Sequence, residues 1–149
     1  MGFQDHMAVA LSEAEAAASR GEVPVGAAIV SPAGEVVARA GNRVLELNDP
    51  TAHAEILALR MACEMVGSER LPGHALYVTL EPCPMCAGAI SQARIARLIY
   101  GAADPKSGGV AQGARVFIHP QCHHAPEVID GIGAEASSLL LKRFFQSRR

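Results

Sequence analysis

The stretch "ALYVTLEPCPMCAGAISQARI", residues 75–95, decides how the chain folds. Its first six residues, Ala75 to Leu80, are rich in β-formers. "EPCPMC" comes next, after which "AGAISQARI" can continue as a helix. The segment therefore reads as strand, turn, helix, with Cys83 and Cys86 at the turn and the helix start. "RLIYGA" (97–102) follows as a second strand, so the helix has to cross over between them.

The same alternation extends upstream and downstream. "HAEILALRMACEMV" (53–66) sets Ile56, Leu59, Ala62, Cys63 and Val66 on one helical face, with Thr51 and the Asp49-Pro50 breaker as a start and Gly67 as a stop. "VGAAIV" (25–30) and "EVVARA" (35–40), divided by "SPAG", predict a hairpin. Phe3, Met7, Leu11, Ala14 and Ala18 recur as the apolar face of a helix ending near Gly21. After the loop "DPKSGGVAQG" (104–113), "RVFI" (115–118) reads as a brief strand and "GAEASSLLLKRFFQSRR" (133–149) as a closing helix. The order αββαβαβ(β)α predicts an α/β fold, a mixed sheet covered by helices on both faces, in one domain spanning 1–149.

Composition narrows the function classes. Half of the 149 residues are hydrophobic and 19% are charged, which is a globular balance. The opening "MGFQDHMAVALSEAEAAASRGE" lacks a basic start and carries Asp5, Glu13 and Glu15, so it does not read as a signal peptide. No run is long enough to cross a bilayer, and the expected location is cytoplasmic, with no membrane partner. There the four cysteines, Cys63, Cys83, Cys86 and Cys122, stay reduced, and a close pair binds metal or performs redox chemistry. A net charge of -2 gives no global attraction to nucleic acid, leaving only local basic patches.

Cys83 and Cys86 are three apart at a helix start, so both sulfurs can reach one ion. A CxxC alone fits a zinc pair, a redox motif or coincidence. His53 decides among them, because it too opens a helix that follows strands, and two helix starts can face each other at one sheet edge. One histidine and two cysteines make three ligands, whereas a structural zinc takes four and a catalytic zinc leaves one position to water. Glu55, two residues after His53, then hangs beside the open position as a proton carrier rather than a ligand. Its plain alternative is a helix-start acid stabilised by the dipole.

HxE followed by PCxxC resembles the signature of the zinc nucleobase deaminases. "EVPVGA", "GNR", "DPTAHAEI", "YVTLEPCPMCAGA" and "DPKSGG" together are similar to the bacterial tRNA-specific adenosine deaminases of the cytidine deaminase-like superfamily, over nearly the whole chain. That resemblance implies a three-layer cytidine deaminase-like fold with a five-stranded mixed sheet between helices. It also implies one zinc per subunit, a homodimer, and a tRNA anticodon stem-loop whose wobble adenosine is hydrolysed to inosine. Zinc would be held by His53, Cys83 and Cys86, with a zinc-bound hydroxide as nucleophile and Glu55 as proton shuttle.

Substrate contacts expected from the resemblance are Asn42, the backbone at Ala54, the side chains of Val25 and Leu80, and Asp104 with Lys106 in the basic loop. Asn42 reads equally well as a turn residue after Gly41, and core is the default reading of the two apolar side chains. RNA contacts are expected from His123, Phe144, Arg148 and Arg149, because cations beside aromatics can hold phosphates and stack bases. A last helix that simply buries Phe144 and solvates its arginines is the alternative. Cys63 reads as core. "CHH" at 122–124 looks like a second metal cluster or a face near the RNA path. The rival functions are a free guanine or cytosine deaminase, a zinc-stabilised binding module completed by Cys122 or a C-terminal histidine, and a CxxC redox protein.

Overall fold

The computed structural model describes residues 2–148. In chain order the elements are α1 (Phe3–Ser19), β1 (Gly26–Val30), β2 (Val36–Gly41), α2 (Val44–Leu47), α3 (Ala54–Val66), β3 (Ala75–Leu80), α4 (Pro84–Gln92), β4 (Arg97–Ala102), β5 (Glu127–Ile129) and α5 (Ala134–Gln146). The five strands form one sheet in the order β2-β1-β3-β4-β5. The hairpin β1/β2 and the pair β1/β3 are antiparallel, while β3/β4 and β4/β5 are parallel. This is the mixed sheet the alternation of elements predicts.

Strand side chains alternate between faces, and the core divides accordingly. Ala27, Ile29, Leu76, Val78, Leu98 and Tyr100 pack with Ala54, Ala58 and Leu59 of α3 and Ile90 of α4. Ala28, Val30, Tyr77 and Ile99 point the other way and pack with Met7 and Ala10 of α1. Helix α1 also touches α5, which lies over β3 and β4. The approach of α1 to β1 is backbone on backbone: a Cβ on Gly26 would collide with the main chain of Ala10 and Ala14. Small residues, Ala10, Ala14 and Ala17, form the buried stripe that allows it.

Three sequence expectations need correction. "RVFI" does not form a strand; Val116–Ile118 is a single 3-10 turn, with Ile118 75% exposed. The fifth strand lies later, at Glu127–Ile129, and exists through pairing Arg97 with Glu127 and Ile99 with Ile129 on β4. Val66 does not continue the buried face of α3, since it is 45% exposed beside Met65. The short helix α2 has no counterpart in the periodicity, which is expected for a four-residue turn.

Candidate active site

His53 and Cys83 occupy equivalent positions, the residues immediately before α3 and α4, in extended conformation. Such cap residues ordinarily use their side chains to accept the free amides of the first turn. Neither does so here. At α3 the task passes to Asn42, whose Oδ1 accepts the Ala54 N–H at 2.8 Å while its Nδ2 donates to the Val23 carbonyl at 3.2 Å. At α4, Pro84 occupies the first turn and has no N–H to satisfy. Both ligand-type side chains are thereby left free to turn toward each other.

They converge with Cys86. His53 Nδ1 lies 3.6 Å from Cys83 Sγ and 3.5 Å from Cys86 Sγ. A tetrahedral zinc with ordinary bonds to nitrogen and sulfur separates such atoms by about 3.6 Å, so the donor set fits that ion without rearrangement. Among the described residues this is the one group of three such donors. The proton distribution agrees. In the metal-free protein, a hydrogen bond from Cys86 holds the Cys83 thiol down to about 4, while the Cys86 thiol, bonded to Cys83 and buried, is pushed up. A dication bound there would hold both sulfurs as thiolates. His53 is raised, chiefly through its hydrogen bond to Cys83.

Glu55 stands in the first turn of α3, buried to 4% exposure, and lines the same cavity. Burial pushes its carboxyl up to about 7, opposed by its hydrogen bond to its own backbone amide and by His53. A carboxyl poised near neutrality can both take and give a proton.

The cavity holds about 540 Å³, and His53, Glu55 and Cys83 share its walls with Val25, Leu80, Asn42 and Asp104. Ala54, expected to line the pocket with its backbone, is fully buried and is not among the cavity-lining residues; its amide is spent on Asn42 Oδ1. Lys106 lies exposed at the tip of its loop, outside the cavity lining. Phe144 of α5 and Arg148, just past the end of that helix, also line the cavity, the guanidinium stacked 3.7 Å from the ring centroid. Arg149 is outside the described residues.

His123 is not brought to this cavity. It lines a separate depression with Ser91, His119 and Cys122. Cys122 Sγ bonds to the His124 carbonyl at 3.1 Å, and the His124 ring nitrogen Nε2 to the Ile95 carbonyl at 2.7 Å. "CHH" fastens a loop to the end of α4, so Cys122 does not complete a fourth position. Sequence reasoning also missed Glu22, Glu81 and Ser107 in the cavity lining. No sequence signal marks Glu81, because the amides it accepts come from a loop that lies beyond α4 and β4 in the chain.

A profile described as the cytidine and deoxycytidylate deaminase zinc-binding region matches residues 3–102, and the chain belongs to that family of zinc-dependent deaminases. Within the family it is 59% identical over 143 residues to the tRNA-specific adenosine deaminase of Agrobacterium fabrum, covering 96% of this chain and 93% of that protein. A solved structure from work on A-to-I editing by tRNA:A34 deaminases at the wobble position of transfer RNA superposes with a TM-score of 0.90. It is 59% identical and covers 92% of this chain and 99% of that one. The guanine deaminase of Bacillus subtilis is 40% identical, with a TM-score of 0.67, over 69% of this chain and 66% of its own.

Proposed function

We propose that this protein hydrolyses adenosine to inosine at the wobble position of a tRNA anticodon loop, with one zinc ion per subunit. The observation that carries the reading is a three-donor site, His53, Cys83 and Cys86, with a buried carboxylate, Glu55, beside it in an open cavity. The similarity to tRNA-specific adenosine deaminases selects the substrate. Zinc bound there supplies a Lewis acid that makes water a nucleophile near neutral pH. Glu55 accepts the proton that water gives up and delivers it to the ring nitrogen beside carbon 6. It then passes the remaining proton to the departing amine, so that water is consumed and ammonia released.

The other residues bind and orient. Val25 and Leu80 form apolar walls for the base. Asn42 keeps one amide hydrogen and one lone pair beyond the bonds it makes in the fold, enough for a contact to the nucleoside. Asp104, in the cavity wall, offers a polar contact to the substrate, and Lys106, exposed next to it, meets phosphate. Arg148 stacked on Phe144 offers a charged, flat surface to a neighbouring nucleotide. An anticodon loop presents its bases already unstacked, which removes the cost of flipping one out of a duplex. Two copies pair as a homodimer, for which exposed Met61 and Met65 on α3 provide apolar surface. No helix among the described residues is long and apolar enough to cross a membrane.

The test is ammonia release from an anticodon stem-loop with adenosine at the wobble position, with guanine and cytosine assayed separately. Release from the stem-loop is expected. Release from the free bases alone overturns the reading in favour of a free-base deaminase, the activity named for the Bacillus subtilis relative.

A further inference from the structure

Two loops form the rims of the cavity, and each is held from inside by a buried carboxylate. Glu22, 2% exposed, accepts the amides of Leu45 at 3.2 Å and Glu46 at 2.9 Å and so fixes α2. Glu81, also 2% exposed, grips more chain. Its Oε1 accepts the Asp104 amide at 3.0 Å, and its Oε2 accepts those of Val110, Ala111 and Gln112 at 3.2, 3.0 and 3.0 Å. All four donors are main-chain groups, so the loop between 104 and 112 is held by no side chain of its own in these contacts.

The position of Glu81 gives the clamp its meaning. It stands between the end of β3 and Cys83, and its own amide donates to the Ala102 carbonyl at 2.8 Å. The next residue, Pro82, accepts the Gly109 amide at 2.8 Å. Gly109 lies so close that an added Cβ would come within 2.6 Å of Pro84 N, and one on Gly108 within 2.6 Å of the Glu81 carboxyl. The loop is therefore laid directly on the segment that carries Cys83. Asp104, at its near end, closes a turn by accepting the amides of Lys106 at 3.2 Å and Ser107 at 3.1 Å through Oδ1. Asp104 and Ser107 then stand in the cavity wall.

We infer that Glu81 is a positioning residue: its buried carboxylate sets the loop of Asp104 and Ser107 at a fixed distance from the Cys83-bearing helix start. It thereby registers the bound polynucleotide against the reacting base. The inference rests on the reading of this cavity as an RNA substrate site. If Glu81 served only to stabilise the fold, its loss would lower the melting temperature and leave the kinetic constants of the folded enzyme alone.

Glu81→Gln in the zinc-loaded enzyme separates the two. The glutamine oxygen can keep the amides of Val110, Ala111 and Gln112, but its NH2 group then faces the Asp104 amide, donor against donor. Loss of one such charge-assisted bond should raise KM for the anticodon stem-loop roughly tenfold while kcat stays within about twofold. Zinc per chain should be unchanged, and amide exchange at Asp104 should quicken. Glu81→Ala should release Val110, Ala111 and Gln112 as well. Wild-type KM in Glu81→Gln, or unchanged exchange at Asp104, overturns the inference. Should Glu81→Ala fail to fold, Glu81→Gln decides alone. If the wild-type enzyme releases no ammonia from the stem-loop, the substrate reading fails instead, and the exchange measurement still decides whether Glu81 holds the loop.

Discussion

His53, Cys83 and Cys86 at one end of α4, and Cys122, His123 and His124 at the other, draw on the same two residue types, yet the structure uses them in opposite ways. At the first end three donor atoms face one another while Asn42 and Pro84 relieve His53 and Cys83 of capping duty. At the second, Cys122 and His124 bond to backbone carbonyls and tie down a loop. The difference teaches that a metal site is defined by what the surrounding chain does to keep lone pairs unspent. Residue type and spacing alone do not define it, because "CHH" is the denser cluster in sequence.

Substitutions can break this comparison. The largest expected effect is that of Cys86→Ala, which leaves two donors: zinc should be lost and deamination abolished, as read by metal analysis and ammonia release. Next, Glu55→Ala should retain zinc at one per chain while the rate falls by about 10²–10⁴, the usual contribution of a positioned acid and base. Loss of metal in that variant would make Glu55 a ligand and sink its role as proton carrier.

A smaller effect concerns pH. In the metal-free protein the Glu55 carboxyl lies at about 7, above its ordinary 4.5, so the folded state binds this proton more tightly than the unfolded chain. Its contribution is full below the unfolded value, falls as pH rises through that window, and levels off above about 7. Urea unfolding of metal-free protein should show this slope, and Glu55→Gln should flatten it; equal slopes would mean the carboxyl is not held up in this way. The smallest effect is expected at the opposite end, where His124→Ala should cost about 1 kcal/mol of stability and leave zinc and kcat unchanged. A loss of zinc there would erase the contrast.

Much of the fold was legible because long elements have period. The strand pattern of "ALYVTL" and "RLIYGA" and the spacing in α1 and α3 each place an element within a residue or two of where it lies. The fifth strand was not legible. "EVI" at 127–129 is too short to show alternation, and pairing with β4 makes it a strand, whereas "VFI" at 116–118 has β-forming composition without a neighbour to bond. In the site, HxE with PCxxC pointed to the donors that converge. Glu22 and Glu81 were missed because a buried carboxylate saturated by backbone amides looks, in sequence, like any polar residue at the end of a strand or helix.

The division of the core into two layers sets where this protein can be improved. Val25 and Leu80, which belong to or pack against the layer under α3 and α4, also form cavity wall, so altering their volume reshapes the site. Met7, Ala28, Val30 and Ile99, under α1, touch the other layer alone. Thermostability can therefore be evolved in the α1 layer with little penalty in turnover, and selection for new substrates can act on the cavity side while the α1 layer serves as its reserve of stability.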